Sequence, residues 1–220
     1  MHDRPLLLGH RGCRSVASAG ENTIAAFELA LQHGCDGFEF DLRGTYDGHV
    51  VACHDPKVGK IKIAAAKRKD LGDVAEFSEI CRNFHHRAFL NLELKVSALE
   101  TTVLSELRHH KIEQDYLVSS FLVDVVMELK ARSASVPVGI ICERASQLAG
   151  WRNLPVDCIV AEKTLINHRL IEDVHATNRK LFAWTVNDKD TMRQLASWQV
   201  DGIISDDPKL LCEVLKPEGV

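Results

Sequence analysis

The chain has 220 residues, enough for one large domain but little for two. Its 27 basic side chains against 31 acidic ones leave a formal net charge of −4, which argues against a general nucleic-acid binder, and 45% hydrophobic residues are ordinary for a globular protein. No run approaches the ~20 apolar residues of a membrane span, and residues 6–8 are too short for a signal-peptide core, so the expectation is a soluble, cytoplasmic protein without stable membrane insertion.

In chain order, residues 5–9 read as a short buried strand ending in His10-Arg11-Gly12. A loop over residues 13–20 leads to Glu21-Asn22-Thr23, which opens a helix with Asn22 or Thr23 as N-cap. Ile24, Phe27, Leu29 and Leu31 supply that helix with an apolar stripe, and Gly34 stops it. Cys13 reads as a small loop filler. The seven cysteines are odd in number, scattered and without a C-x-x-C pair, as expected of reduced, mostly buried thiols.

Residues 36–55 form the most informative stretch. Phe38, Phe40 and Leu42 alternate with Glu39 and Asp41, so the acids share one strand face. In a half-buried strand they would face solvent. In a barrel wrapped by helices, the phenylalanines face the helices and the acids point into the mouth. Two carboxylates about 4 Å apart repel by roughly 4 kcal/mol at an effective dielectric near 20, which a shared proton, a cation or splaying into water must relieve. Asp47-Gly48 makes a turn, and a second short strand delivers His54 beside Asp55. A solvated hairpin is the competing reading.

Residues 57–70 look irregular and basic, with few apolar anchors. A helix over 76–84 precedes residues 90–95, where leucines again alternate with Asn91, Glu93 and Lys95. Helices then fall at 99–109, 123–132, 146–150, 167–177 and 189–198. They alternate with strands at 116–120, 136–142, 158–161, 181–186 and 202–205, and Pro208 opens a last helix. Eight strands alternating with helices predict an α/β fold, a TIM (β/α)8 barrel as a single domain over 1–220, with a short insertion at about 55–75 after the second strand.

Active sites of such barrels lie at the C-terminal strand ends. His10, Glu39, Asp41, His54, Glu93 and Lys95 all fall there. Three carboxylates from two strands suit one Mg2+ or Ca2+. Two histidines suit general acid–base work, and Arg11 and Lys95 suit a phosphoryl oxygen. Ser119 and Ser120 read as strand ends that satisfy backbone, and Asp206 as the cap of the last helix. The pairs His85-His86 and His109-His110 read as surface, because adjacent residues point apart. The lysines between 57 and 69 read as a solvated loop, or else as a patch that draws an anionic substrate or headgroup to the mouth.

H-R-G at 10–12, E-N-T at 21–23, D-x-x-E-x-D at 36–41, T-x-D-G at 45–48, H-D at 54–55, N-x-E-x-K at 91–95, W-T-V-N at 184–187 and D-G-I-I-S-D at 201–206 occur in this order. Together they resemble the glycerophosphodiester phosphodiesterase family nearly end to end. The resemblance implies a metal-dependent hydrolase that converts glycerophosphodiesters to glycerol 3-phosphate and an alcohol. It implies Glu39, Asp41 and Glu93 as ligands of Mg2+ or Ca2+, His10 and His54 as the acid–base pair, and Arg11 and Lys95 on phosphate. It also implies Trp184 as a substrate wall and Glu21 as support on the metal side. The expected partner is a small phosphodiester, with no nucleic acid.

The chain departs from the family pattern in a longer loop between His10 and Glu21, in Gly20 where a proline usually stands, and in a much shortened insertion. These departures bear on the substrate more than on the chemistry. A phospholipase D-like activity on lysophospholipids and a non-catalytic barrel that binds a phosphorylated ligand are the alternatives.

Overall fold

The computed structural model describes residues 4–112 and 115–216. The chain opens with β1 (Leu6–His10), α1 (Ile24–Gln32), β2 (Gly37–Gly44) and β3 (Val50–Ala52). The insertion holds β4 (Lys57–Val58) and β5 (Ile61–Lys62), followed by α2 (Phe77–Phe84) and β6 (Phe89–Leu94). Then come α3 (Glu100–His110), β7 (Tyr116–Ser120), α4 (Val123–Arg132), β8 (Val138–Cys142), α5 (Ala145–Leu148) and β9 (Cys158–Glu162). The chain ends with α6 (His168–His175), β10 (Lys180–Trp184), α7 (Lys189–Ser197), β11 (Gly202–Ser205) and α8 (Pro208–Leu215).

Eight parallel strands run in the order β1-β11-β10-β9-β8-β7-β6-β2, and β1 pairs with β2 to close the ring. These are the eight expected strands, and the TIM barrel is the observed fold. β3 lies outside the ring, antiparallel to the end of β2.

Strand alternation sorts the core into two layers. Leu8, Phe89, Leu117, Ile141, Val160, Phe182 and Ile204 fill the barrel interior, while the residues of opposite parity pack outward beneath the helices. On β2, Phe38 stacks on Phe27 of α1 at 4.2 Å and meets Phe84 of α2 edge-on at 4.9 Å, and Phe40 packs on Phe77. That places Glu39 and Asp41 inward, above the apolar plug. Gly37 is required at the start of β2, because a Cβ there would lie 1.9 Å from the Phe89 carbonyl oxygen.

Two expectations need correction. The buried face of α1 is Ala26, Phe27 and Ala30; of the expected stripe, Phe27 is buried, Ile24 and Leu31 pack half-buried against the core, and Leu29 falls outside it. Small alanines let the helix sit close on β1, where a Cβ at Gly9 would come within 2.9 Å of the Ala30 side chain. Residues 57–70 are also ordered, not irregular. The β4–β5 hairpin turns at Gly59 (φ +57°), and Val51, Ile63, Ala66 and Leu71 form a small apolar cluster beneath it. No helix among the described residues is long and apolar enough to cross a membrane.

Candidate active site

β1, β2 and β6 build the floor of the site at their C-terminal ends. The register sets Glu39 beside His10 and Asp41 beside Glu93. Ligand oxygens of Glu39, Asp41 and Glu93 all lie within 4.8 Å of one another, and the three side chains are 5%, 1% and 8% exposed. Burial, reinforced by the charges of Asp41 and Glu93, pushes the Glu39 carboxyl well above its ordinary range. Burial raises Glu93 as well, against the pull of Lys95.

Two cations answer these three acids. Lys95 Nζ lies 2.6 Å from Glu93 Oε1 and 3.3 Å from Asp41 Oδ1, and Arg11 Nε lies 3.3 Å from Asp41 Oδ2. Burial opposes the charge on Lys95, but Glu93 and Asp41 outweigh it and raise its pKa. The contacts of Asp41 with Arg11 and Lys95 are close but poorly aligned. Asp41 Oδ1 therefore has no hydrogen-bond partner, and Glu39 Oε1 is likewise buried without one. Unpaired carboxylate oxygens in an acid-rich, oxygen-only cluster fit a hard divalent cation.

The chain leading into the site is held by the backbone. Gly12 adopts φ +85°, and a Cβ there would lie 2.6 Å from the Ala26 backbone, so the H-R-G turn needs glycine at this position. The turn aims the Arg11 amide at Glu39 Oε2, 3.0 Å away.

His10 is nearly buried. Its Nδ1 lies 2.7 Å from Asp206 Oδ1, and its Nε2 faces Glu39 Oε2 at 3.7 Å. Burial lowers the His10 pKa, against the pull of Asp206. Burial also works against the ionisation of Asp206, but hydrogen bonds from His10, Asn187 and Arg14 hold its pKa far below the usual range. An ionised Asp206 is an acceptor only, so the shared proton sits on Nδ1 of His10 and Nε2 is left free to accept.

His54 is about one-third exposed and lies 2.9 Å from the Asp55 carboxylate. Arg43 donates two hydrogen bonds to the His54 carbonyl and so fixes its backbone. His10, Arg11, Glu39, His54, Glu93, Lys95 and Trp184 all line one cavity of about 210 Å³. Its other wall is apolar, made by Phe121, Ile141, Val160 and Ile204, with Trp184 edge-on to Phe121 at 5.6 Å.

Glu21 stands apart from the carboxylate cluster, its oxygens taken by Arg11 Nη1 at 2.8 Å and Arg14 Nε at 2.9 Å. Ser119 and Ser120 donate to strand carbonyls as expected.

The structure reassigns Asp206 and decides between Asn22 and Thr23. Asp207, not Asp206, caps the last helix by accepting from the Leu210 amide, which frees Asp206 to face His10. Thr23, not Asn22, caps α1. Asn22, buried at φ +58°, instead donates to Asp41 Oδ2 at 2.9 Å and accepts from the Asp41 amide at 3.1 Å. The adjacency of Asn22 to Thr23 and of Asp206 to Asp207 was the available signal. Backbone direction at each turn decides which of the two neighbours caps and which faces the site.

The family model for the Glycerophosphoryl diester phosphodiesterase family matches residues 10–77 and 86–210. A glycerophosphodiester phosphodiesterase of Caldanaerobacter subterraneus subsp. tengcongensis is 27% identical, over 98% of this chain and 100% of that protein. The crystal structure of a glycerophosphodiester phosphodiesterase from Thermotoga maritima superposes with a TM-score of 0.84 at 24% identity, covering 97% of this chain and 99% of that one. A phosphodiesterase of Oleispira antarctica, solved with its product sn-glycerol-3-phosphate, gives a TM-score of 0.84 at 22% identity, covering 96% of each chain. At these identities the structural likenesses speak for the fold.

Proposed function

The chain belongs to the glycerophosphoryl diester phosphodiesterase family, and from that premise we propose how its residues hydrolyse a glycerophosphodiester to glycerol 3-phosphate and an alcohol. The observation that carries the reading is the cavity that joins His10, His54, Arg11 and Lys95 to Glu39 and Glu93, two of the three acids that cluster with Asp41. Glu39, Asp41 and Glu93 would hold Mg2+ or Ca2+, which when bound supplies Lewis-acid stabilisation to a phosphoryl oxygen.

The chain's own groups supply the rest. Arg11 and Lys95 bind the anionic phosphodiester and neutralise charge that builds on its oxygens. His10, neutral through burial and oriented by Asp206, takes a proton at Nε2 from the nucleophile, either water, which gives glycerol 3-phosphate directly, or the substrate's neighbouring hydroxyl, which gives a cyclic phosphate that water then opens. His54 gives its proton to the leaving alkoxide. Trp184 and Phe121 form a wall along the organic part of the substrate. Glu21 steadies Arg11 from the solvent side.

The reading treats residues 1–220 as one catalytic domain. The direct pairing of β1 with β11 supports this, because the barrel cannot close without both ends of the chain. A reducing, cytoplasmic setting is supported by seven free cysteines, all but Cys53 buried.

The test is 31P NMR of the protein with glycerophosphocholine, glycerophosphoethanolamine and glycerophosphoglycerol, in Mg2+, Ca2+ or EDTA, beside His10→Ala. Cation-dependent glycerol 3-phosphate, absent from the variant, is the expected result. No turnover of any of the three refutes the substrate class and moves the assay to lysophospholipids.

A further inference from the structure

We propose that the insertion is a docking platform for an anionic lipid surface, which it holds against the rim of the barrel mouth. The proposal does not rest on the catalytic reading. Residues 57–69 contain six cations and no acid, in a chain whose overall charge is −4. Lys57, Lys60, Lys62, Lys67 and Lys69 are exposed. Among the described residues only Arg68 of the six is ion-paired, to Glu76 at 2.9 Å, and it also donates to the carbonyls of Gly72 and Val74. One cation therefore anchors the platform from within while five face outward.

The apolar side chains decide between a lipid surface and a purely polyanionic partner. Ile61 is 42% exposed beside the hairpin turn, between Lys60 and Lys62. Tyr46, 74% exposed, belongs to the same unit, because its amide bonds to the Ala66 carbonyl at 2.9 Å. Aromatic and aliphatic tips set among lysines match the interface of an acidic bilayer, where the rings and chains enter the headgroup layer and the ammonium groups meet phosphate. The apolar cluster under the hairpin makes the platform rigid, so little ordering is needed on docking. Lys57 and Val58 share a cavity with His54, which also lines the main site, so a docked insertion brings the bilayer to the edge of that site.

The experiment is co-sedimentation of the full chain with vesicles of phosphatidylcholine alone or mixed with phosphatidylglycerol, at low and high salt. Binding to the mixed vesicles only, lost at several hundred millimolar salt, is expected. Lys60→Glu combined with Lys62→Glu should weaken partitioning at least tenfold, and Ile61→Ser severalfold, with unchanged thermal unfolding. If charge reversal disturbs the fold, the Lys60→Gln, Lys62→Gln pair should still weaken binding. Equal binding to pure phosphatidylcholine, no binding to either vesicle, or wild-type binding by the folded charge variants overturns the proposal. Retention on RNA without vesicle binding overturns it in favour of a polyanion partner.

Discussion

Asp206 and His10, 196 residues apart in sequence, share a 2.7 Å hydrogen bond because β11 lies beside β1 with Ser205 in register with Gly9. Arg14 Nη1 at 2.8 Å and Asn187 Nδ2 at 2.7 Å hold the other sides of the carboxylate. Asp206 does not reach the cluster of acids, so its effect passes through the imidazole, whose tautomer and orientation it sets.

Asp206→Asn should therefore lower kcat by about 10- to 100-fold with little change in KM, less than the roughly 10²–10⁴ attributed to general acid–base catalysis as a whole, because the imidazole itself remains. The carboxylate also raises the His10 pKa against burial, so its loss should move the acid limb of the pH–rate profile to lower pH. Steady-state kinetics across pH checks both. A fall in kcat with an unmoved limb would reduce Asp206 to a structural brace.

The acidic cluster predicts a second pattern. A divalent cation should stabilise the wild type against heat, by about 2.7 kcal/mol at a hundredfold excess over Kd. Glu39→Gln should remove that gain and, by relieving repulsion with Asp41 and Glu93, should make the metal-free protein more stable than the wild type. His54→Ala should keep the cation-dependent gain and lose turnover. Because burial and repulsion raise Glu39 and Glu93, protons compete for the site and cation affinity should fall as pH falls. Calorimetric titration of the three proteins reads these effects, and equal cation affinity in Glu39→Gln would remove Glu39 from the site.

Much of this was legible in the sequence because period-two alternation survives burial. Phe38 and Phe40 against Glu39 and Asp41 located both the outer core and the inward acids, and the same alternation recurred around Glu93. Turn geometry was not legible. Whether Asn22 or Thr23 capped α1, and whether Asp206 or Asp207 capped α8, depended on one residue of backbone direction. The insertion hid its order for a related reason. Ile63, Ala66 and Leu71 follow neither a helical nor a strand period, and their partner Val51 lies in another element.

That alternation makes two neighbouring positions on β2 respond oppositely. Phe38→Ala removes a fully buried ring that contacts Phe27, Phe40 and Phe84, and should cost about 3–5 kcal/mol in urea unfolding. Glu39→Gln, one residue on, should cost nothing in the metal-free protein. Similar losses at both positions would contradict the inward placement of Glu39.

Asp36 offers a pH test far from the chemistry. Its carboxylate accepts from both Arg4 Nη atoms, at 2.6 and 2.8 Å, and from the Leu7 amide at 2.8 Å, tying the start of β2 to β1. Burial opposes its ionisation, but Arg4 and the amide outweigh burial and hold it below the usual carboxylate range. The unfolded chain, with a carboxyl pKa of about 3.9, thus binds more protons than the folded one as pH drops toward the folded value. The stabilisation is complete above that unfolded value and is lost as pH falls through the lower, folded one. Asp36→Asn should destabilise the protein by about 1–2 kcal/mol at neutral pH, the scale of hydrogen bonds to a charged group on a side chain one-quarter exposed. The difference between variant and wild type should shrink below about pH 4, with all other carboxylates cancelling in the comparison. Urea unfolding at a series of pH values measures it. A difference that stays constant to the lowest pH would assign the effect to shape at Asp36 and not to its charge.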